Sequence, residues 1–129
     1  MAERSSDWFT QARHDLETAG KNADNGAYEW ACFIAEQAAE KALKAVYQKK
    51  NAEAWGHSVS DLLRGIDHWV EVSDELIRAA RRLDSLYIPT RYPNGHSHGV
   101  PHDQYDKEDS DSAIRSAGAI LRFCEDILA

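Results

Sequence analysis

The chain has 129 residues, of which 43% are hydrophobic and 29% are charged, and these proportions are typical of an ordinary globular domain. Its net charge of −7 argues against a protein that coats DNA or RNA through a broad basic face, because such binding depends on neutralising many phosphates. No apolar run approaches the roughly 20 residues that span a bilayer, and the first residues lack the apolar core of a signal peptide, so we expect one cytoplasmic domain over residues 1–129 that does not bind membranes.

Helical periodicity dominates the chain, and no alternating strand pattern interrupts it. The pattern predicts an all-α fold, a mostly antiparallel bundle of four long helices plus one short helix. The expected helix starts are, in chain order, Ser5 or Ser6, about Ala27, Ser58 or Ser60, Ser73 or Asp74, and Asp109 or Ser110. The short helix is the third of the five.

The second helix, about residues 27–50, carries the clearest pattern, with a wide, alanine-rich apolar face suited to close packing. Its opposite edge is polar and consists of Glu36, Gln37, Glu40, Lys41 and Lys44. The simplest interpretation of this edge is a solvent-exposed helix face. A second interpretation brings Lys41 and Lys44 towards the candidate site described below.

Cysteine and tryptophan positions predict structural roles. The two cysteines, Cys32 and Cys124, lie on apolar helix faces without CxxC spacing, which is typical of buried free thiols. The four tryptophans are expected to anchor the core or a dimer interface. They are Trp8, Trp30, Trp55 and Trp69.

Residues 87–102 interrupt the helical pattern. The segment contains all three prolines of the chain and the turn dipeptide Asn94-Gly95, so it is predicted to be an irregular loop rather than helix. A simple connector would need only polar residues and a turn. This loop also carries groups that can hold a phosphate, transfer a proton or stack on a base, namely Arg91, Tyr92, His96, His98 and His102.

Arg91 and His96 are the strongest candidates for chemistry in this loop. An arginine guanidinium can clamp phosphate oxygens while staying charged, and a histidine can exchange a proton near neutral pH. Together they supply the minimum for cleaving RNA without a metal. The Arg-x4-His spacing alone is too short to be specific.

Other interpretations of the loop remain open. Arg91 could pin the loop by bonding carbonyl groups or by pairing with Asp84 or an acid of a partner chain. The run of His96, His98 and His102 could ligate zinc or nickel, although loop spacing does not define a tetrahedral site, and no metal or cofactor is predicted. Tyr92 could stack on a base.

Several segments together resemble the HEPN domain family, in its branch with an Arg-Tyr-Pro motif. Residues 83–95 read LDSLYIPTRYPNG, and residues 37–45 of the second helix read QAAEKALKA. The similarity extends to Gly56-His57-Ser58 with the following Asp61-Leu62-Leu63, and to Trp8 and Leu16 of the first helix. It covers nearly the whole chain, and the combination is more specific than any one motif.

The resemblance implies a helical bundle that is usually a homodimer, with the Arg/His loop near the dimer cleft. In many cases it also implies a partner protein of the minimal nucleotidyltransferase type, acting as antitoxin. Two activities are attributed to the family: a metal-independent endoribonuclease, often a toxin, and nucleotide binding. Many members of the Arg-Tyr-Pro branch lack the histidine of the ribonuclease motif.

The family's ribonuclease motif maps onto particular residues of this chain. Arg91 matches it with His96 at x4 and with His98 at x6, so these three are the catalytic candidates. Toxin members of a neighbouring subfamily carry a tyrosine two residues after the histidine, and this chain has His98 there. The candidates for binding a nucleotide or RNA phosphate are Arg91, Lys41, Lys44 and Tyr92.

Three hypotheses follow, and they make different demands. A ribonuclease needs Arg91 and His96 within reach of one phosphate, on one chain or across a dimer. A non-catalytic module that binds a nucleotide or a partner needs Arg91 and one of the two lysines, but not His96. A purely structural loop needs Arg91 bonded to protein, with neither Arg91 nor His96 free.

Overall fold

The computed structural model describes residues 3–129, and within that range all regular structure is helical. This confirms the predicted all-α bundle. The four long helices are α1, α2, α4 and α6, and α3 and α5 are short. Their bounds are α1 Ser5–Asp24, α2 Tyr28–Lys49, α3 Val59–Ile66, α4 Asp74–Asp84, α5 Pro101–Gln104 and α6 Lys107–Leu128.

Helix α2 is the centre of the bundle. It packs most extensively on α1 and α6, and it also contacts α3, α4 and α5. Its alanines at 31, 35, 38, 39, 42 and 45 are all fully buried. Small side chains let the neighbouring helix axes approach closely, so the alanine-rich face positions the whole core.

The polar edge of α2 is not the solvent-exposed face that was predicted. Glu36 is fully buried and Glu40 is 4% exposed. The prediction was wrong for these two residues because α2 has neighbours on nearly every side, which periodicity within one helix cannot reveal. Two acids of this edge therefore lie inside the bundle.

Two predicted helix starts also need correction. Helix α1 has Arg4 at its N-cap position and no side-chain cap, so neither Ser5 nor Ser6 caps it. Helix α6 begins earlier than predicted, because Asp106 and Asp109 form a reciprocal capping box. The predictions for α3 and α4 are confirmed by the caps that Ser58 and Ser73 provide.

The segment 87–102 is irregular over most of its length, but it is not free of helical turns. Pro93–Gly95 forms a 3-10 turn, and Pro101 begins α5. The prediction was wrong at these two prolines because the N–H of the first helical residue forms no hydrogen bond within the helix. A proline at that position therefore loses nothing. Irregular backbone separates the two turns.

The predictions for cysteine and tryptophan had different outcomes. Both cysteines are buried free thiols, as predicted, and burial raises the pKa of Cys32 to about 12. Trp30, Trp55 and Trp69 are exposed, and Trp8 is only half-buried, so the buried core contains none of the four. Within residues 3–129, no helix is both long and apolar enough to span a bilayer.

Candidate functional site

The candidate site lies in the segment that follows the end of α4, where the chain folds back on itself. The buried Thr90 donates its hydroxyl to the carbonyl of Leu86, and His96 Nε2 lies 2.6 Å from the carbonyl oxygen of Pro89. Gly95 is required at this crossing, since a Cβ there would lie 2.8 Å from Pro89 Cα. These contacts fix the backbone on both sides of Arg91.

Aromatic rings surround the Arg91 guanidinium. Its central carbon lies 4.4 Å from the centre of the Phe33 ring, 4.6 Å from that of Tyr87 and 5.1 Å from that of Tyr92. We call these three rings the aromatic cluster. The faces of such rings attract a cation without neutralising its charge.

Arg91 is held by the backbone as well as by the aromatic cluster. Its Nε donates to the carbonyl of Tyr87 at 2.9 Å. Within residues 3–129, no carboxylate lies within 4.0 Å of its guanidinium. Arg91 is thus a positioned, half-buried cation whose side chain forms no other hydrogen bond with residues 3–129.

Asp84 is not the partner of Arg91 that one interpretation suggested. Its carboxylate accepts hydrogen bonds from the Val59 amide at 2.6 Å and from the hydroxyl of Ser60 at 2.5 Å. The Ser58 hydroxyl also donates to it, at 3.2 Å. Asp84 therefore ties the end of α4 to the start of α3, where an acid is favoured by the helix dipole.

His57, just before α3, reaches the same aromatic cluster. Its ring stacks on Tyr87 with centres 4.8 Å apart and planes 16° apart. Its Nδ1 lies 2.7 Å from Glu40 Oε1, and Lys44 donates to the same oxygen at 3.1 Å. A continuous chain of contacts therefore links Lys44 to Arg91 through Glu40, His57 and Tyr87.

Glu36 lies beside Glu40 one helical turn earlier. Its pKa is raised from an ordinary value of 4.5 to about 9, first by burial and then by the neighbouring Glu40 carboxyl group. Gln37 donates to both acids, to Glu36 at 2.7 Å and to Glu40 at 3.1 Å. Glu36 is consequently a neutral acid at pH 7.

The three loop histidines turn to different partners. The ring of His96 also meets Tyr105 edge-on, His98 Nδ1 lies 3.1 Å from the Ser97 hydroxyl, and His102 Nδ1 lies 2.7 Å from Glu29 on α2. Across the described residues, no three His, Cys, Asp or Glu side chains are grouped in a way that could hold a metal ion. The structure does not bring the three histidines together.

Lys41 and Lys44 do not converge on Arg91 directly. Lys41 pairs with Asp15 of α1, and Lys44 pairs with Glu40. Tyr92, in contrast, is 48% exposed and packs its ring on the guanidinium. Of the predicted binding residues, only Tyr92 shares a contact with Arg91.

Sequence reasoning missed Phe33, Glu40 and His57 as parts of this site. Gly56-His57-Ser58 contributes to the family resemblance but does not by itself indicate any chemistry. Glu40 was placed on the polar edge of α2. The distances that unite these residues arise from how α2, α3 and α4 pack, so spacing along the chain could not show them.

Sequence comparison relates the chain to one family. A sequence model of the HEPN domain matches residues 5–127. A relative from Methanocaldococcus jannaschii, named "Putative toxin MJ1304", is 28% identical over 130 residues, which span 94% of this chain and 86% of the relative.

Solved structures show the same fold. The crystal structure of TT1696 from Thermus thermophilus superposes with a TM-score of 0.95 at 43% identity, covering 98% of this chain and 99% of that one. ST0689, an archaeal HEPN homologue, gives a TM-score of 0.82 at 37% identity and coverages of 96% and 97%. A HEPN domain protein of Thermotoga maritima, TM0613, gives 0.77 at 37% identity and coverages of 94% and 96%.

Proposed function

Because the chain belongs to the HEPN domain family, we propose that it is a toxin-type endoribonuclease that cleaves RNA without a metal, through Arg91 and His96. The relation to the Methanocaldococcus protein supports a role of toxin type. The proposal extends to a cytoplasmic homodimer of single-domain chains whose activity is restrained by a nucleotidyltransferase antitoxin.

The observation that carries this proposal is the unneutralised, positioned charge of Arg91. Three aromatic rings and one backbone carbonyl fix its guanidinium, and no carboxylate of residues 3–129 pairs with it. A phosphodiester develops additional negative charge at its oxygens as it is cleaved. A preorganised guanidinium stabilises that charge without having to reorganise first.

His96 supplies the proton chemistry in this proposal. Its Nε2 donates to the Pro89 carbonyl, since a carbonyl oxygen can only accept, and Nδ1 is then the nitrogen that gains or loses a proton. We assign His96 to protonating the leaving 5′ oxygen. His98 is the alternative acid, because it is an exposed residue of the same loop.

A second function, a non-catalytic module that binds a nucleotide for a separate nucleotidyltransferase, is favoured by the Pro89 contact itself. In this alternative, His96 has no role in chemistry and its bond to the Pro89 carbonyl holds the loop in place. In this alternative, Arg91 and Tyr92 bind the phosphate and base. Lys41 and Lys44 would add to phosphate binding after leaving Asp15 and Glu40.

The deciding experiment measures RNA cleavage in the presence of EDTA together with growth on expression, for the wild type, Arg91→Ala and His96→Ala. The ribonuclease predicts 2′,3′-cyclic phosphate ends and growth arrest with the wild type alone. The binding module predicts intact RNA in all three cases, while ATP still raises the Tm of the wild type and of His96→Ala but not of Arg91→Ala. Arg78→Ala, an exposed arginine elsewhere on α4, is the matched control.

A further inference from the structure

His57 is linked to Arg91 through a single shared ring, although it is far from the Arg/His loop in sequence. Its ring and the Arg91 guanidinium lie 4.8 Å and 4.6 Å from the same Tyr87 ring centre. They are therefore separated by no more than the sum of these two distances. We propose that His57 is a second proton-transfer residue of the Arg91 site and that Glu40 positions it; this rests on the proposed ribonuclease function.

The contact with Glu40 selects which nitrogen of His57 can react. Glu40 is almost fully buried and accepts hydrogen bonds from the Gln37 amide nitrogen and the Lys44 ammonium group. Its carboxylate likewise accepts from His57 Nδ1–H at 2.7 Å, because an ionised carboxylate has no hydrogen to donate. The other nitrogen, Nε2, then carries the lone pair, and it forms no hydrogen bond with residues 3–129.

The surroundings hold His57 in place but leave it accessible. Stacking on Tyr87 fixes the plane of the ring, and the bonds from Ser58 and Val59 to Asp84 anchor the backbone that follows. The His57 side chain is nevertheless 57% exposed, whereas that of Glu40 is 5% exposed. A buried carboxylate behind an exposed imidazole is an arrangement that orients a base and stabilises the imidazolium it becomes.

The charged and titratable groups that face His57 come from two directions. From α2 they are Glu40, with Lys44 on the same carboxylate oxygen and the neutral Glu36 behind it. From the end of α4 and the turn after it they are Asp84, Tyr87 and Arg91. Among residues 3–129, the carboxylate in contact with the ring is that of Glu40.

Cleavage of RNA to a cyclic phosphate requires two proton transfers, and two histidines divide them. The 2′ oxygen attacks phosphorus and gives its proton to His57 Nε2. As the bond from the 2′ oxygen to phosphorus forms, the bond from phosphorus to the 5′ oxygen breaks, and that oxygen takes a proton from His96. The products are a 2′,3′-cyclic phosphate and a 5′ hydroxyl, with no change of oxidation state.

The test uses His57→Asn, because the asparagine amide can still donate to Glu40 but has no basic nitrogen. The full chain is assayed for cleavage of an oligoribonucleotide, and its pH dependence is recorded between pH 5 and 8. We expect kcat of His57→Asn to fall by about 10²-fold or more. The decrease in activity that the wild type shows towards acidic pH should be absent from the pH profile of the variant. His68→Asn, an exposed histidine outside the site, should leave both unchanged.

A second variant, His57→Ala, separates chemistry from folding, because added imidazole should restore part of its activity. Wild-type cleavage with unchanged rates in His57→Asn and no rescue of His57→Ala would overturn the role of His57 and leave the ribonuclease intact. No cleavage by the wild type would overturn the ribonuclease and this assignment with it. Loss of kcat with rescue by imidazole is the supporting result.

Discussion

The raised pKa of Glu36, beside Glu40, can be tested through protein stability alone, without any assumption about function. Its pKa is about 9 in the folded chain and near its ordinary value of 4.5 once it is exposed by unfolding. Between these values the folded state holds a proton that the unfolded state has lost. The free energy of unfolding therefore falls as pH rises, by up to about 1.4 kcal/mol for each pH unit from this group.

We predict that Glu36→Gln removes this pH dependence, since glutamine imitates the protonated acid in shape and cannot ionise. Urea denaturation at pH 5 and pH 8.5 should show the variant gaining stability relative to the wild type at the higher pH. Glu53→Gln, at an exposed position, is the control and should follow the wild type. If the free energy of unfolding changes by the same amount between the two pH values in the wild type and in Glu36→Gln, Glu36 is already ionised at neutral pH in the folded chain.

The turn at Pro93–Gly95 forms only if residue 95 lacks a side chain. A Cβ at this position would lie 2.8 Å from Pro89 Cα and 3.2 Å from Pro89 Cβ. These backbone and ring atoms of Pro89 cannot rotate away from it. We predict that Gly95→Ala displaces the turn, breaks the contact between His96 and Pro89, and lowers stability by about 1–3 kcal/mol. Cleavage of RNA should fall by more than about 10-fold, because a misplaced catalytic group loses its geometry.

The control for Gly95→Ala is Gly20→Ala in α1, where an added Cβ would have no atom of residues 3–129 within 4 Å apart from the backbone of its own helix. There alanine favours the helix by up to about 1 kcal/mol. Thermal unfolding of the two variants should thus shift in opposite directions. Equal shifts, or an unchanged Gly95→Ala with full activity, would show that the close crossing at Pro89 is not needed.

How well the sequence predicted each element depends on the range of the interactions that define it. Helix α2 and the Ser58 and Ser73 caps follow from local periodicity and capping, so they were predicted correctly. The burial of Glu36 depends on helices that are distant in sequence. The proximity of His57 to Arg91 depends on the Tyr87 ring, which both of them contact. The loop residue Arg91 was found because its residue type and proline context were themselves informative.

The surface beside the site offers a place for the proposed homodimer. Trp30 is 48% exposed and meets Phe33 of the aromatic cluster edge-on at 6.2 Å, so an apolar surface continues from Arg91 onto α2. We predict that Trp30→Lys weakens the dimer by at least about 10-fold, as measured by sedimentation over a concentration series. Trp55→Lys, at a residue that is 78% exposed, is the control. A monomeric wild type, or an unaffected variant, would contradict this placement.

A net charge of −7 limits how this molecule can bind RNA. Many phosphate contacts would give a steep salt dependence, whereas a site built on Arg91 neutralises only a few phosphates. We predict that the dissociation constant of a non-cleavable 2′-O-methyl oligoribonucleotide rises only weakly with salt. Arg91→Ala should reduce the slope of log Kd against log salt by about 0.7, the value for one single-strand phosphate.

The same titration distinguishes this site from another basic surface. An open groove of about 670 Å³ between α4 and α6 is lined by Arg82 and Arg115 and also by Glu75. Neither arginine pairs with a carboxylate of residues 3–129. If RNA follows that groove, Arg115→Ala will reduce the slope and Arg91→Ala will not. The exposed ring of Tyr92 lies beside Arg91, and a base can stack on such a ring only when it is unpaired. We therefore expect tighter binding to single-stranded than to duplex RNA of the same length.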